Sequence, residues 1–139
     1  MTDKTVAVIG AGAAGLIACG KVKDRVKKVI LIEKNGLCAK KLRITGKGRC
    51  NITNAAKISD FFDSIPTNAK FLYSALNNFT NDDITALLAS LGVKVKTERG
   101  GRIFPESDRA DDVADALIRY ALGKNVIKVR DTAREILIE

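Results

Sequence analysis

The chain has 139 residues, enough for one modest hydrophobic core. Apolar residues make up 46% and charged residues 29%, a balance that excludes a disordered chain. No apolar run approaches the ~18–20 residues of a membrane span, and Met1–Lys4 runs into a strand with no signal-peptide pattern. Histidine is absent and Cys19, Cys38 and Cys50 form no CxxC pair, so neither a zinc site nor a histidine base is expected. Three unpaired cysteines without an export signal point to the cytoplasm. The net charge is +8. Basic residues gather in Lys21–Lys57, but aromatics do not interleave with them, so a base-stacking nucleic-acid surface is not indicated; the charge fits equally an anionic cofactor or a longer chain whose acidic portion lies elsewhere.

In chain order, Thr5–Ile9 reads as a buried strand ending at Gly10. A helix follows from Ala13, with Gly15, Cys19, Val22 and Val26 as its apolar stripe. Val29–Glu33 reads as a second strand, completing a βαβ unit. Asn35–Asn54 is a long basic, glycine-containing loop. Helices are expected over Asn68–Asn78 and Asn81–Leu91, the latter opening on the capping signal Asn81-Asp82-Asp83. Val93–Thr97 and Arg102–Phe104 form a hairpin. A third long helix starts at Ser107 or Asp108 and ends at Gly123, and Asn125–Arg130 and Ala133–Ile138 are the last strands. The fold class is α/β, a Rossmann-like three-layer dinucleotide-binding domain. Residues 1–58 hold the βαβ unit and basic loop, 59–106 a helical and hairpin excursion, and 107–139 the closing helix and strands.

Gly10-Ala11-Gly12-Ala13-Ala14-Gly15 is GxGxxG, placed between a buried strand and a helix, the context that makes this motif a phosphate cradle. Gly10 permits the tight turn, Gly12 lets a pyrophosphate approach the backbone, and Gly15 lets helix and strand pack closely. The helix N-terminus adds free N–H groups and partial positive charge. Glu33 lies near the roughly 20-residue offset at which an acid accepts from the adenosine ribose, which argues against a 2′-phosphate. In the loop that follows, Gly46 and Gly48 allow close backbone approach. Lys40, Lys41, Lys47 and Arg49 are candidates to neutralise phosphates, and Asn51 and Thr53 to hydrogen-bond a polar ring.

The stretches Val6–Leu16, Val29–Asn35, Lys40–Asn54 (KKLRITGKGRCNITN), Phe71–Asp83 and Leu91–Leu117 together resemble one known group. It is that of the bacterial FAD-dependent flavoproteins of the aminoacetone oxidase-like or BaiN-like type, with the glutathione-reductase-type FAD fold. TGKGRCN is the most specific part. The resemblance implies FAD lying extended, with its pyrophosphate over Gly10, Gly12, Ala13, Ala14 and Gly15 and its ribose at Glu33 and Lys34. It further implies Lys41, Thr45, Gly46, Gly48, Arg49, Cys50 and Asn51 along the pyrophosphate, ribityl and flavin side, and the Ala133 backbone at adenine. It gives no residue a catalytic role, since the chemistry belongs to the flavin, and Cys50 is expected to be an ordinary packed thiol.

Three departures from the group stand out. Val26 replaces a glycine ending the first helix, which is expected to cost roughly 1 kcal/mol or to force a different turn. Cys38-Ala39 stands where a glycine precedes the double lysine. Members are also much longer, with a strand ending in Ala-Thr-Gly-Gly, a substrate-covering domain and a glycine-rich C-terminal segment. The chain is therefore expected to be the FAD-binding portion of an oxidoreductase, inactive or weakly active alone. It is expected to self-associate or to join a separately encoded C-terminal part, because its first strand would be an open edge. The substrate cannot be read, and whether the chain alone is an enzyme stays open. A non-catalytic adenine-nucleotide or nucleic-acid binder and a gene remnant are the alternatives.

Overall fold

The structure is a computed structural model that describes residues 2–138. Three parallel strands form the main sheet in the order β1 (Thr2–Ile9), β2 (Val26–Ile32), β6 (Val126–Val129). Alternation sends Val6 and Val8 of β1, and Val29 and Leu31 of β2, into the core. There they meet α1 (Ala13–Val22) and α6 (Ala110–Ala121), which pack against each other. Leu16 and Cys19 of α1 and Val113, Ala114 and Leu117 of α6 are fully or almost fully buried. The opposite face, with Ile9 and Ile127 exposed, is bare among the described residues.

The helix α1 ends at Val22, and a 3₁₀ turn over Lys23–Arg25 leads to Val26, which opens β2 in extended conformation (φ −128°, ψ 159°). The chain thus takes a different turn, and Val26 is no helix cap. Asn125 supplies the missing partners. Its side-chain amide donates to the carbonyls of Lys23 (2.7 Å) and Val26 (3.0 Å).

The long segment expected as a loop carries α2 (Lys40–Ile44), a tight turn over Thr45–Gly48, and the short β3 (Thr53–Asn54). Ala39, the N-cap of α2, is left-handed (φ 58°) and buried, and its N–H donates to the Ala11 carbonyl at 2.7 Å. A glycine would take that conformation without the Cβ penalty. Ala39→Gly is therefore expected to stabilise the fold by up to about 1 kcal/mol, read as a higher Tm.

A second, antiparallel sheet has the order β3, β5 (Arg102–Pro105), β4 (Val95–Thr97), so the expected hairpin is present and pairs with the end of the basic loop. The helix expected over Asn68–Asn78 is broken. Asn68 is left-handed, a 3₁₀ turn spans Ala69–Leu72, and α4 (Tyr73–Asn78) follows. An additional α3 (Ile58–Asp63) precedes it, and Phe62 stacks on Tyr73. The helix α5 (Asn81–Ser90) is capped by Thr80, whose hydroxyl and backbone exchange hydrogen bonds with Asp83. Asn81 has another task, donating to the carbonyls of Asn54 and Ala56.

The helix α6 ends at Ala121, two residues before Gly123, and the Lys23 ammonium satisfies its end by donating to the Tyr120 and Leu122 carbonyls. One expectation at the C-terminal end needs correction. Ala133–Ile138 forms no strand, because no neighbour completes its ladder, and Ile136, Leu137 and Ile138 are 77–93% exposed.

Candidate functional site

Parallel strands deliver their C-terminal ends, and the loops that follow, to one edge of the sheet. Here β1 ends at Gly10, which turns with φ +94° while its N–H donates to the Ile32 carbonyl at 2.7 Å. The chain then enters α1 with Gly12 as an N-cap that carries no side-chain cap, so the first-turn N–H groups face outward. A Cβ built on Gly12 meets nothing within 4 Å, so the space above it is open. A Cβ on Gly15 falls 1.8 Å from the Gly10 carbonyl oxygen. Gly12 keeps a surface clear, and Gly15 lets the helix start against its own turn.

Three adjoining clefts surround this turn. One, of about 560 Å³, runs past Gly10, Gly12, Ala13, Ala14 and Gly15 to Lys41, Thr45, Cys50 and Asn51. A second, of about 400 Å³, holds Gly12, Glu33, Lys40 and Lys41. The third, of about 340 Å³, lies between Gly10, Glu33 and Lys34 on one side and Asp131–Ala133 on the other. Gly10, Gly12, Glu33 and Lys41 each border two of them, so the clefts form one branched groove centred on the glycine turn. Lys34, Lys40 and Lys41 give it positive charge.

Glu33 already has partners. Its carboxylate accepts from the Ala11 N–H (2.7 Å) and from the backbone (2.8 Å) and side-chain (2.7 Å) N–H groups of Asn35. It clips the glycine turn to the end of β2 and keeps lone-pair capacity on Oε2. The Asn35 and Ala11 N–H groups hold its pKa below the ordinary carboxylate value. Burial pushes the Cys50 thiol pKa above the ordinary thiol value.

Residues 4–137 match the HI0933-like protein Rossmann domain. The chain belongs to this family.

Within curated relatives, this HI0933-like domain is 32% identical over 126 residues to the 3-dehydro-bile acid delta(4,6)-reductase of Clostridium scindens, covering 89% of this chain and 30% of that protein. It is 31% identical over 119 residues to a ribosomal RNA dihydrouridine synthase of Escherichia coli, covering 86% and 29%, and 29% identical over 110 residues to that of Haemophilus influenzae, covering 79% and 27%. The chain thus spans less than a third of the length of these relatives. Among solved structures, THI4 of Thermovibrio ammonificans superposes with a TM-score of 0.57 at 13% identity, over 92% of this chain and 38% of that one, a likeness of fold.

The HI0933-like domain brings together most, but not all, of the residues singled out in the sequence. Gly10, Gly12, Ala13, Ala14, Gly15, Glu33, Lys34, Lys41, Thr45, Cys50, Asn51 and Ala133 line the groove. Arg49, Gly46, Gly48 and Lys47 do not. The Arg49 guanidinium is bound to Glu98 and Asp108, and a Cβ on Gly46 would press on the Phe104 ring and the Asn51 nitrogen, both 2.9 Å away. Gly46 thus serves packing within the protein. Arg43 likewise turns inward, paired with Asp111 and Asp115 on one face of α6. Sequence reasoning missed the apolar wall of the cleft past Lys41 and Cys50, made by Ile84 and Leu88 of α5 with Val113 and Leu117 of α6. Helical spacing alone does not say what an apolar stripe faces.

The Glu33 clip has a pH signature. Because its folded pKa lies below the ordinary 4.5, its contribution to stability is complete above that value and is lost as pH falls through the folded pKa. Glu33→Gln is expected to cost about 1 kcal/mol at pH 7, after allowance for partial exposure. It should also flatten the acid limb of a Tm-against-pH curve. An unchanged acid limb would remove the clip from the account.

Proposed function

We propose that this chain is the FAD-cradling portion of a flavin-dependent oxidoreductase. The observation that carries this reading is the open space over Gly12 at a bare helix N-terminus, set midway along a groove that branches toward Glu33 and Ala133 on one side and toward Cys50 and Asn51 on the other. In this reading the first-turn N–H groups of Ala13 and Ala14 donate to the pyrophosphate, and Lys41 balances its charge. The free lone pair of Glu33 accepts from the adenosine ribose, and the Ala133 backbone lies along adenine. Thr45, Cys50 and Asn51 flank the flavin side, where Ile17, Ile52 and Leu88 keep water out. A bound flavin supplies hydride or electron transfer, so the protein's task here is binding and orientation.

The curated relatives support a cofactor role for the shared stretch. One relative acts on a bile acid and two on ribosomal RNA, yet all align with these residues. What such different proteins share fits a common cofactor better than a common substrate. Three free, buried cysteines suit a reducing cytoplasm, and among the described residues no helix is long and apolar enough to cross a membrane.

Titration of the folded chain with FAD tests the reading, with ADP as the comparison ligand. Saturable change in flavin fluorescence and in the visible band, competed by ADP, is expected. Binding of ADP with no response to FAD would favour a plain adenine-nucleotide binder, and no binding of either at high micromolar ligand would remove the nucleotide reading.

Self-association belongs to the same proposal. The strand β1 is a sheet edge, and Ile9 and the 136–138 segment expose apolar side chains. Sedimentation at micromolar concentration is expected to show mass above the monomer, reduced by replacing Ile136 and Ile138 with lysine. A strictly monomeric chain would contradict it.

A further inference from the structure

The turn after α2 holds its backbone in a sparsely populated conformation. Lys47 and Cys50 have φ of 58° and 63°, and Gly46 has 56°. Non-glycine residues stay left-handed only where their surroundings over-determine them. The surroundings here converge on Arg49, which lies between them and does not line the groove. Its guanidinium lies 4.3 Å from the centroid of the Phe104 ring. It donates to Asp108 through Nε (2.8 Å) and Nη2 (2.6 Å), and to Glu98 through Nη1 (3.3 Å) and a second, shorter contact from Nη2. Lys96 donates to Asp108 from the far side at 2.7 Å. Phe104 closes the arrangement by lying against Gly46. One side chain thus joins the Thr45–Asn51 turn to the β4–β5 hairpin and the turn that follows it before α6, partners 49 and 59 positions away in sequence. Cys50 and Asn51, the next two residues, form the groove wall.

We infer that Arg49 is a positioning residue, which acts through Glu98, Asp108 and Phe104 to hold Cys50 and Asn51 in the wall of the groove. That this end of the groove receives the flavin rests on the reading proposed above. The role requires the planar five-donor fork of arginine, because one head must serve two carboxylates and a ring face together. A lysine ammonium is a point charge and cannot do so. Among the described residues, no hydrogen bond or ion pair joins Glu33 or Ala133, at the adenosine end, to this cluster.

The test uses R49K and the double variant E98Q/D108N, each first shown to retain a cooperative melt. R49K, which keeps the charge, guards against a double variant that fails to fold. FAD and ADP affinities are measured, together with the iodoacetamide alkylation rate of each cysteine, read by peptide mass spectrometry. FAD affinity is expected to fall about tenfold while ADP affinity stays within about twofold. Cys50 is expected to alkylate about tenfold faster in the folded variants, with Cys19 unchanged. A parallel loss of FAD and ADP binding, or an unchanged Cys50 rate, would overturn the inference. Should the unaltered chain bind neither nucleotide, the FAD reading fails, and the alkylation rates alone decide whether Arg49 holds the turn.

Discussion

Gly12→Thr is expected to leave the protein folded and to reduce both FAD and ADP affinity about 100-fold, close to 2.7 kcal/mol. The backbone at Gly12 (φ −80°, ψ −175°) suits any residue, and a Cβ there meets nothing within 4 Å. Threonine is as good an N-cap as glycine, so folding stability should stay within about 0.5 kcal/mol. The added Cβ, methyl and hydroxyl would fill the space over the first turn of α1 that phosphate oxygens need to reach the N–H groups. Both ligands carry that pyrophosphate, so both should weaken alike, unlike the split expected at Arg49. Calorimetric or fluorescence titration beside a thermal melt measures the two quantities together. Affinity retained within a few-fold by a folded variant would show that phosphate does not lie on Gly12.

Gly15→Ala, three residues on in the same motif, should do the reverse and damage the fold itself. Its Cβ would sit 1.8 Å from the Gly10 carbonyl oxygen, with the carbonyl carbon 3.0 Å away. Both are backbone atoms, so no rotamer change relieves the clash. The start of α1 must separate from the turn after β1, which opens the packing of Leu16 and Cys19 against Val8 and Val29. Overpacking of this kind costs about 3 kcal/mol or more, a fall in Tm of roughly 10 °C or beyond. Binding should be lost as a consequence of unfolding, with an altered melt as the sign. A Gly15→Ala protein with unchanged Tm would show that the observed closeness of helix and turn is not required.

These two glycines show how much of the site could be read before the structure. GxGxxG between an apolar strand and a helix named the glycine turn because local backbone chemistry dictates it. The order strand, helix, strand, ending in Glu33, followed from hydrophobic periodicity in the same way. The basic run from Lys40 to Arg49 was another matter. A sequence presents its lysines and arginines as equal candidates for phosphate. The direction of each side chain depends on which partners the fold brings near. Arg43 and Arg49 are drawn inward by Asp111, Asp115, Glu98 and Asp108, carboxylates at least 49 positions away, while Lys40 and Lys41 remain at the groove.

By itself, then, the sequence determined the βαβ unit, the glycine turn, the acid at the end of β2 and the family, all set by contacts within some thirty residues or by motif spacing. Only the tertiary structure decided the rest. Asn125, rather than a glycine, satisfies the end of α1, and Ala39 takes a left-handed turn to reach Ala11. Ala133–Ile138 has β-forming residues and no strand partner, so it forms no strand. The Glu33 carboxylate is shared with the glycine turn itself. The physical reason is common to all of them. Local geometry is encoded by neighbours in the chain. The partner of a buried carbonyl, a guanidinium or a strand edge is chosen by packing between segments far apart in sequence, and that choice exists only once the chain has folded.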